Sequence, residues 1–321
     1  MSQLLWDENI AIVEAGLDLE VDRVQWCMNE ILNGAADNSI IKRFLIALKN
    51  KGESPEEVGA LVAQMYQHCA PISITERAVD TVGTGGDGAH TINISTTSAI
   101  IAAAAGAKVV KHGNRAASSK SGSADLLENL GININLNGQA VEESFATLGI
   151  GFCFAPLFHP AMKHAAAARK ELGVPTVFNI LGPLANPARP QAAAIGVAND
   201  RMHLVMAQVL GARGVDGFVF RGDDGLDEIS LCDATQVTEF KDGKLDTFKI
   251  NPTDYGFSIC KPEDLAGANA KLIKAQTELL ASKTNFERIT REKAPDAKNL
   301  EKKINEVSDK DFLKTLAAAK D

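Results

Sequence analysis

Up to about residue 70 the apolar positions recur with the period of an α-helix. Val21, Val24, Met28, Ile31 and Leu32 fall on one face. Ser54-Pro55-Glu56-Glu57 has the form of a capping box with Pro at the first helical position. Val58, Leu61, Val62, Met65 and Cys69 then keep the helical spacing until Pro71. This part of the chain is expected to be a small all-helical unit.

The texture changes at Ala78. β-rich runs over 78–82, 108–112, 132–135 and 152–154 alternate with helical stretches over 95–105, 123–130 (closed by Gly131) and 139–148. Strand–helix alternation of this kind predicts an α/β fold whose central sheet is mainly parallel. A long helix is expected over 159–172, ended by Gly173. Residues 178–184 are Pro-bounded and read as irregular. The runs 237–240 and 245–250 flank Asp242-Gly243, a hairpin turn signal.

Composition narrows the function. The chain has 321 residues, a hydrophobic fraction of 45% and a net charge of -8. That size suggests about two domains, and the acidic balance argues against binding nucleic acid or an anionic membrane by bulk charge. No apolar run is long enough to span a bilayer, and the first 50 residues carry no basic-then-apolar leader pattern. The five cysteines are scattered, with no C-x-x-C. A reduced, cytoplasmic setting without disulfides is expected.

The net charge hides a local anomaly: positions 88–124 contain no Asp or Glu, yet carry Lys108, Lys111, Arg115 and Lys120. This window is built to hold an anion. Gly83-Thr84-Gly85-Gly86-Asp87-Gly88 follows an expected strand, and its glycines let backbone N–H groups approach a ligand. Asn93-Ile94-Ser95-Thr96 then opens a helix, whose N-terminus suits phosphate. The dinucleotide fingerprint also wants an acid about 20 residues further on, where this chain has Lys108-Val109-Val110-Lys111. A second loop, Lys111-His112-Gly113-Asn114-Arg115 and then 118–125, ends the next strand. Lys111 and Arg115 are expected to neutralise phosphate there. A third, Gly222-Asp223-Asp224-Gly225-Leu226-Asp227-Glu228, clusters carboxylates of the kind that hold Mg2+ beside substrate phosphates; alone it reads equally as a solvated acidic turn. Arg169 follows four alanines and reads equally as a residue that pairs with a carboxylate or as a surface arginine. His112 and His164 read as structural or exposed, and no nucleophile–base set stands out.

Together these residues resemble the anthranilate phosphoribosyltransferases, which catalyse the second step of tryptophan biosynthesis from chorismate. The resemblance rests on residues 80–87, 93–96, 111–115, 119–125, 179–184 and Asp227-Glu228, and runs to about Ile273. It implies a nucleoside phosphorylase/phosphoribosyltransferase-like fold. A small helical domain over 1–72, joined by helices within about 160–190, would precede a large α/β donor-binding domain over 73–321. It implies that 5-phosphoribosyl 1-diphosphate and anthranilate react in a Mg2+-dependent step, in a homodimer. By that resemblance Gly83, Gly86, Asp87, Thr91, Asn93, Ile94, Ser95, Thr96, Lys111, His112, Gly113, Asn114, Arg115, Ala116, Ala117, Ser118, Ser119 and Ser123 bind the donor. Gly83, Asn114 and Arg169 bind anthranilate, and Ser95, Asp227 and Glu228 hold the metal. No residue is assigned as a general acid or base. Two other readings are a pyrimidine nucleoside phosphorylase-like enzyme and a non-catalytic nucleic-acid-binding homologue. The tail, 283–321, departs from the family: ten basic and eight acidic residues stand where an Asn/Ala/Leu-rich helix is normal.

Overall fold

The computed structural model describes residues 2–89, 91–116 and 122–266; the charged tail lies outside them. Helices α1 (Ser2–Glu14), α2 (Val21–Leu32), α3 (Asn38–Lys51) and α4 (Pro55–Gln67) form the N-terminal unit. Trp6 is buried among Trp26 and Phe44, with ring centroids 5.2 and 5.4 Å away. The capping box forms: Glu57 N donates to Ser54 Oγ at 3.3 Å, and Ser54 N to Glu57 Oε2 at 2.9 Å.

The rest of the described chain winds around one seven-stranded sheet. Its strands are β1 (Val79–Gly83), β2 (Val109–Gly113), β3 (Ile150–Phe154), β4 (Ala192–Gly196), β5 (Asp216–Gly222), β6 (Thr235–Lys241) and β7 (Lys244–Ile250). The order is β3-β2-β1-β4-β5-β6-β7. β1 to β5 pair in parallel, and β6 and β7 add an antiparallel edge. Between β1 and β2 runs α5 (Ile94–Ala104); α6 (Ser123–Asn129) and α7 (Gly138–Leu148) lead to β3. Then come α8 (Ala155–Phe158), α9 (Lys163–Leu172) and α10 (Phe178–Leu184), with α11 (Asp200–Ala212) between β4 and β5 and α12 (Pro262–Ala266) last. The β6–β7 turn has Asp242 at φ 50° and Gly243 at φ 71°, the positive pair a two-residue hairpin needs.

Three local expectations fail, each for a visible reason. Of the helix expected over 159–172, Lys163–Leu172 form α9, but its start is a 3-10 turn at Pro160–Met162. Pro160 has no N–H to continue the ladder, and His159 leaves helical geometry at φ -122°, ψ 58°. Residues 178–184 form α10 rather than an irregular stretch. Pro183 sits in its last turn, and Asn179 Oδ1 accepts the Thr176 N–H at 3.1 Å to start it. Residues 132–135 are no strand: Asn133 Oδ1 captures the Asn135 N–H at 2.9 Å in a local turn.

Two of these helices reach back to the N-terminal unit. α9 packs on α2 and α3 with Ala165 and Ala168 fully buried, small side chains that permit close approach. α10 packs against α4 and α11. Among the described residues no helix is long and apolar enough to cross a membrane.

Candidate active site

The chain leaves β1 for β2 and β3 on one side and returns to β4 on the other, so the sheet changes direction between β1 and β4. The carboxyl ends of strands at such a switch form a ligand crevice. Here β1, β2 and β4 all end in glycine: Gly83, Gly113 and Gly196. The reason is steric. A Cβ on Gly83 would lie 2.4 Å from Asp227 Oδ2, and one on Gly196 only 1.6 Å from the Asp227 carbonyl oxygen. The two glycines let the Asp227–Glu228 loop settle onto the strand ends.

Asp227 is buried there, and its Oδ2 accepts the Gly85 N–H at 2.6 Å. Burial, with Asp87 alongside, pushes its carboxyl up to about 6. Glu228 is raised further, to about 8, by burial and by the charges of Asp227 and Asp87, with Lys111 opposing. Three carboxylates therefore converge on the glycine loop, crowded enough that they resist full ionisation together.

Lys111 lies beneath them. It is buried, and its Nζ donates to the Thr81 carbonyl and, at 3.2 Å, to Ser95 Oγ. Burial pulls its pKa down, while Asp80 and Glu228 hold it up. Thr81 Oγ1 donates to the Ser95 carbonyl at 2.9 Å, pinning the start of α5 to β1. Asn93 stands at the helix N-cap but does not use its side chain to cap it. The glycine loop, the α5 N-terminus, Lys111 and the Asp227–Glu228 pair thus meet at one point.

Other expected site residues land elsewhere. The His112 side chain is buried facing α10, where Nδ1 donates to the Gly182 carbonyl at 2.9 Å. Burial lowers its pKa to about 3, so the ring is neutral and out of reach of a phosphate. Thr96 is also buried, its hydroxyl without a partner among the described residues. Arg115 does not stand free for phosphate: it binds Glu128 through both guanidinium nitrogens and Asp125 at 3.0 Å. The acids that follow the acid-free window fold back onto Arg115. Ala116 gives its N–H to Asp125 Oδ2 at 3.0 Å, and Gly122 gives its own at 2.9 Å. Ala117, Ser118 and Ser119 lie outside the described residues. Asn114 is exposed beyond β2; Thr91 and Ile94 are half-buried near the α5 start, and Ser123 opens α6 beside Gly113.

Of the acidic turn, only the last two members face the site. Asp223 pairs with Lys249 at 2.6 Å, and Asp224 accepts Ser230 Oγ at 2.5 Å. Among the described residues no three His, Cys, Asp or Glu side chains could hold a metal ion by themselves. Arg169, on α9, is half-buried with its guanidinium 5.6 Å from the Phe178 ring centroid and no carboxylate partner among the described residues. Burial lowers its pKa.

The sequence reading gave no role to Asp80, Asn186 or His159. Asp80 is buried in β1, accepting from His112 N at 3.1 Å and Asn186 Nδ2 at 2.8 Å, and is raised to about 6 by burial. An acid inside an apolar strand run was the available signal. His159 Nε2 donates to the Ala185 carbonyl at 2.7 Å and its ring meets that of His112 edge-on at 5.3 Å.

Comparison with known proteins agrees with this geometry. Residues 10–69 match the helical bundle domain of the glycosyl transferase family, and residues 75–302 its a/b domain. An anthranilate phosphoribosyltransferase of Nocardioides is 51% identical over 265 residues, covering 83% of this chain and 78% of the relative. One from Thermobifida fusca is 48% identical over 278 residues, 85% and 80% of the two chains. The crystal structure of the Thermus thermophilus enzyme superposes with a TM-score of 0.77 at 39% identity, covering 84% of this chain and 80% of that one. The Saccharomyces cerevisiae enzyme in complex with PRPP and Mg gives 0.73 at 29% identity, with 80% and 76% covered. On the matched domains, the identities and the shared fold, the chain belongs to the anthranilate phosphoribosyltransferase family of glycosyl transferases.

Proposed function

We propose that the chain transfers the phosphoribosyl group of 5-phosphoribosyl 1-diphosphate to the amine of anthranilate and releases diphosphate, the second step of tryptophan biosynthesis. The observation that carries this reading is the meeting of a glycine loop, an open helix start, buried Lys111 and the Asp227–Glu228 pair at the sheet's switch point. A multiply charged leaving group needs that combination of N–H donors and charge. The aromatic amine of anthranilate is neutral at pH 7, so no strong base has to free its lone pair. The neutral, buried His112 and His159 accord with that.

In this reading Gly83, Gly86, Asp87 and the 91–96 segment cradle the donor, largely through backbone groups. Lys111 and the 113–119 loop complete the cradle. The oxygen-only set of Asp227, Glu228 and Ser95 fits Mg2+, which takes few protein ligands; the crowding that raises both carboxyls is relieved by a cation. Bound Mg2+ would neutralise developing charge on the diphosphate. Arg169, a cation without an acid partner among the described residues, takes the anthranilate carboxylate, and Asn114 orients the acceptor. Positioning and fixed charge supply the rate of a dissociative displacement.

A homodimer in the cytoplasm is part of the proposal. It is supported by the apolar Leu4, Leu17 and Val21 exposed on the helical unit and by five cysteines without a disulfide. The test is incubation with Mg2+, the donor and anthranilate. Loss of anthranilate fluorescence is expected, and a folded sample without turnover overturns the assignment.

A further inference from the structure

At the other end of the sheet lies a feature the reaction does not use. Two cavities, of about 540 and 560 Å³, open on either side of Tyr66 and Arg189, which line both. The Arg189 and Arg213 guanidiniums lie 4.5 and 4.8 Å from the Tyr66 ring centroid. Neither arginine has a carboxylate partner among the described residues. Arg189 makes no side-chain hydrogen bond within that set, and its backbone is held at φ 49° although it is not glycine. A residue kept in that region costs stability and concentrates at functional positions. The acids nearby are otherwise placed: Glu142 accepts the Ser73 N–H at 2.7 Å, and Glu56 lines the first cavity without pairing with either arginine.

The first cavity has an apolar floor, made by Gly59, Val62 and Ala63 of α4 and Val209 and Ala212 of α11, with polar Glu56, Gln67 and Gln208 also lining it. A floor of small side chains with two guanidiniums at one end matches a particular chemistry. A planar body lies on the floor, and a carboxylate meets the N–H fork of Arg189, because Arg213 already gives Nη1 to the Leu184 carbonyl and Nη2 to Tyr66 Oη at 2.6 Å. Arg189 precedes β4, whereas Gly196 ends it, so this groove stands a full strand away from the reaction site.

We propose that the groove is a second ligand site, which takes a small planar carboxylate. Its position gives it a route to the reaction site. The Leu184 carbonyl accepts Arg213 Nη1 at 2.6 Å and Tyr66 Oη at 3.2 Å. One turn of the same backbone gives Gly182 O to His112 of β2 and Ala185 O to His159. A ligand that draws Arg213 from Leu184 acts on the segment that also holds His112 next to Lys111.

The chain has only two tyrosines, Tyr66 and Tyr255, so fluorotyrosine labelling gives two 19F resonances, assigned with Tyr66→Phe. Titration of the whole protein with benzoate should move the Tyr66 resonance saturably and leave Tyr255 in place. Arg189→Gln should weaken that response by about tenfold or more, and Arg189→Gln with Arg213→Gln should abolish it. An unmoved Tyr66 resonance through about 10 mM benzoate overturns the proposal, as does an equal response in Arg189→Gln. An equal response to inorganic phosphate also overturns it, because the site would then be a general anion patch. The Arg189 side chain makes no hydrogen bond among the described residues, so that single variant keeps the test decisive should the double variant fold poorly.

Discussion

Replacing Gly196 by alanine tests whether the strand ends exist to seat Asp227. The new Cβ would stand 1.6 Å from the Asp227 carbonyl oxygen and 2.5 Å from its carbon. Ordinary carbon–oxygen contact needs about 3.4 Å, so the Asp227 backbone must retreat by roughly 1.8 Å. Backbone cannot swing aside as a flexible side chain does, and overpacking of this kind costs about 1–3 kcal/mol. A catalytic group displaced by about 1 Å loses on the order of 100-fold in rate, and Glu228 moves with its neighbour. Gly131→Ala is the control. It closes α6 at φ 76° with nothing within 4 Å, so a Cβ there adds only left-handed backbone strain, about 1–2 kcal/mol. Urea denaturation should therefore show similar losses in both variants. Anthranilate-fluorescence kinetics should separate them: kcat/KM falls at least about 100-fold in Gly196→Ala, with a weaker Mg2+ midpoint, and is unchanged per folded molecule in Gly131→Ala. A Gly196→Ala enzyme with normal kcat/KM and a normal Mg2+ midpoint would refute the reasoning.

Three further outcomes are expected. Arg169→Ala should raise KM for anthranilate at least about tenfold and leave KM for the donor nearly unchanged; equal effects on both would remove Arg169 from the acceptor. Glu57→Ala should cost about 3 kcal/mol in urea denaturation, because Glu57 is buried, accepts from Leu19 N and Ser54 N, and would leave the buried Lys51 ammonium with exposed Asp18 as its one remaining acid among the described residues, beside the Gly52 carbonyl. In metal-free protein Asp227 and Glu228 titrate near 6 and 8, above their unfolded values, so the folded state holds extra protons and stability falls as pH rises from about 4.5 to 8. Mg2+ should flatten that slope and bind more tightly at pH 8 than at pH 6; calorimetry showing pH-independent affinity would contradict the raised carboxyls.

The parts of the fold legible in the sequence were those set by local rules. The capping box at Ser54, the Asp242-Gly243 hairpin and the glycine loop after β1 each need particular residues within a few positions. Partners from beyond that range were not legible. Arg115 read as a phosphate cation because Asp125 and Glu128 are 10 and 13 residues away, and only the turn into α6 brings them onto it. Asp223 and Asp224 read as members of a metal cluster until Lys249 of β7 and Ser230 took them. Pro160 and Pro183 misled in opposite directions: the first delays the start of a helix expected from 159, and the second is tolerated because it falls in a last turn. Gly196 carried no motif at all. Its importance comes from a carbonyl supplied 31 positions later, which no spacing rule foretells.

With Arg115 engaged by its own acids, the charge arithmetic of the site changes sign. Asp87, Asp227 and Glu228 face the crevice, and the cation acting on Glu228 is Lys111, itself partly answered by Asp80. Near a protein surface two like charges 4 Å apart cost about 4 kcal/mol. Among the described residues, a diphosphate brought against three acids and one shared ammonium therefore meets net repulsion, unless part of that charge is removed first. Burial and mutual repulsion raise both carboxyls, so protonation removes part of it, but by pH 8 Asp227 is ionised and Glu228 about half so, and that route is closing. The remaining route is a divalent cation arriving with the donor. Donor binding itself, and not only turnover, should then depend on Mg2+, and more steeply at pH 8 than at pH 6. Equilibrium dialysis of labelled donor against the protein with and without Mg2+ at the two pH values reads this directly. Equal binding without the metal at pH 8 would mean that the backbone N–H groups of the glycine loop and α5 outweigh the acids, and that the carboxylates serve only the later, charge-developing stage.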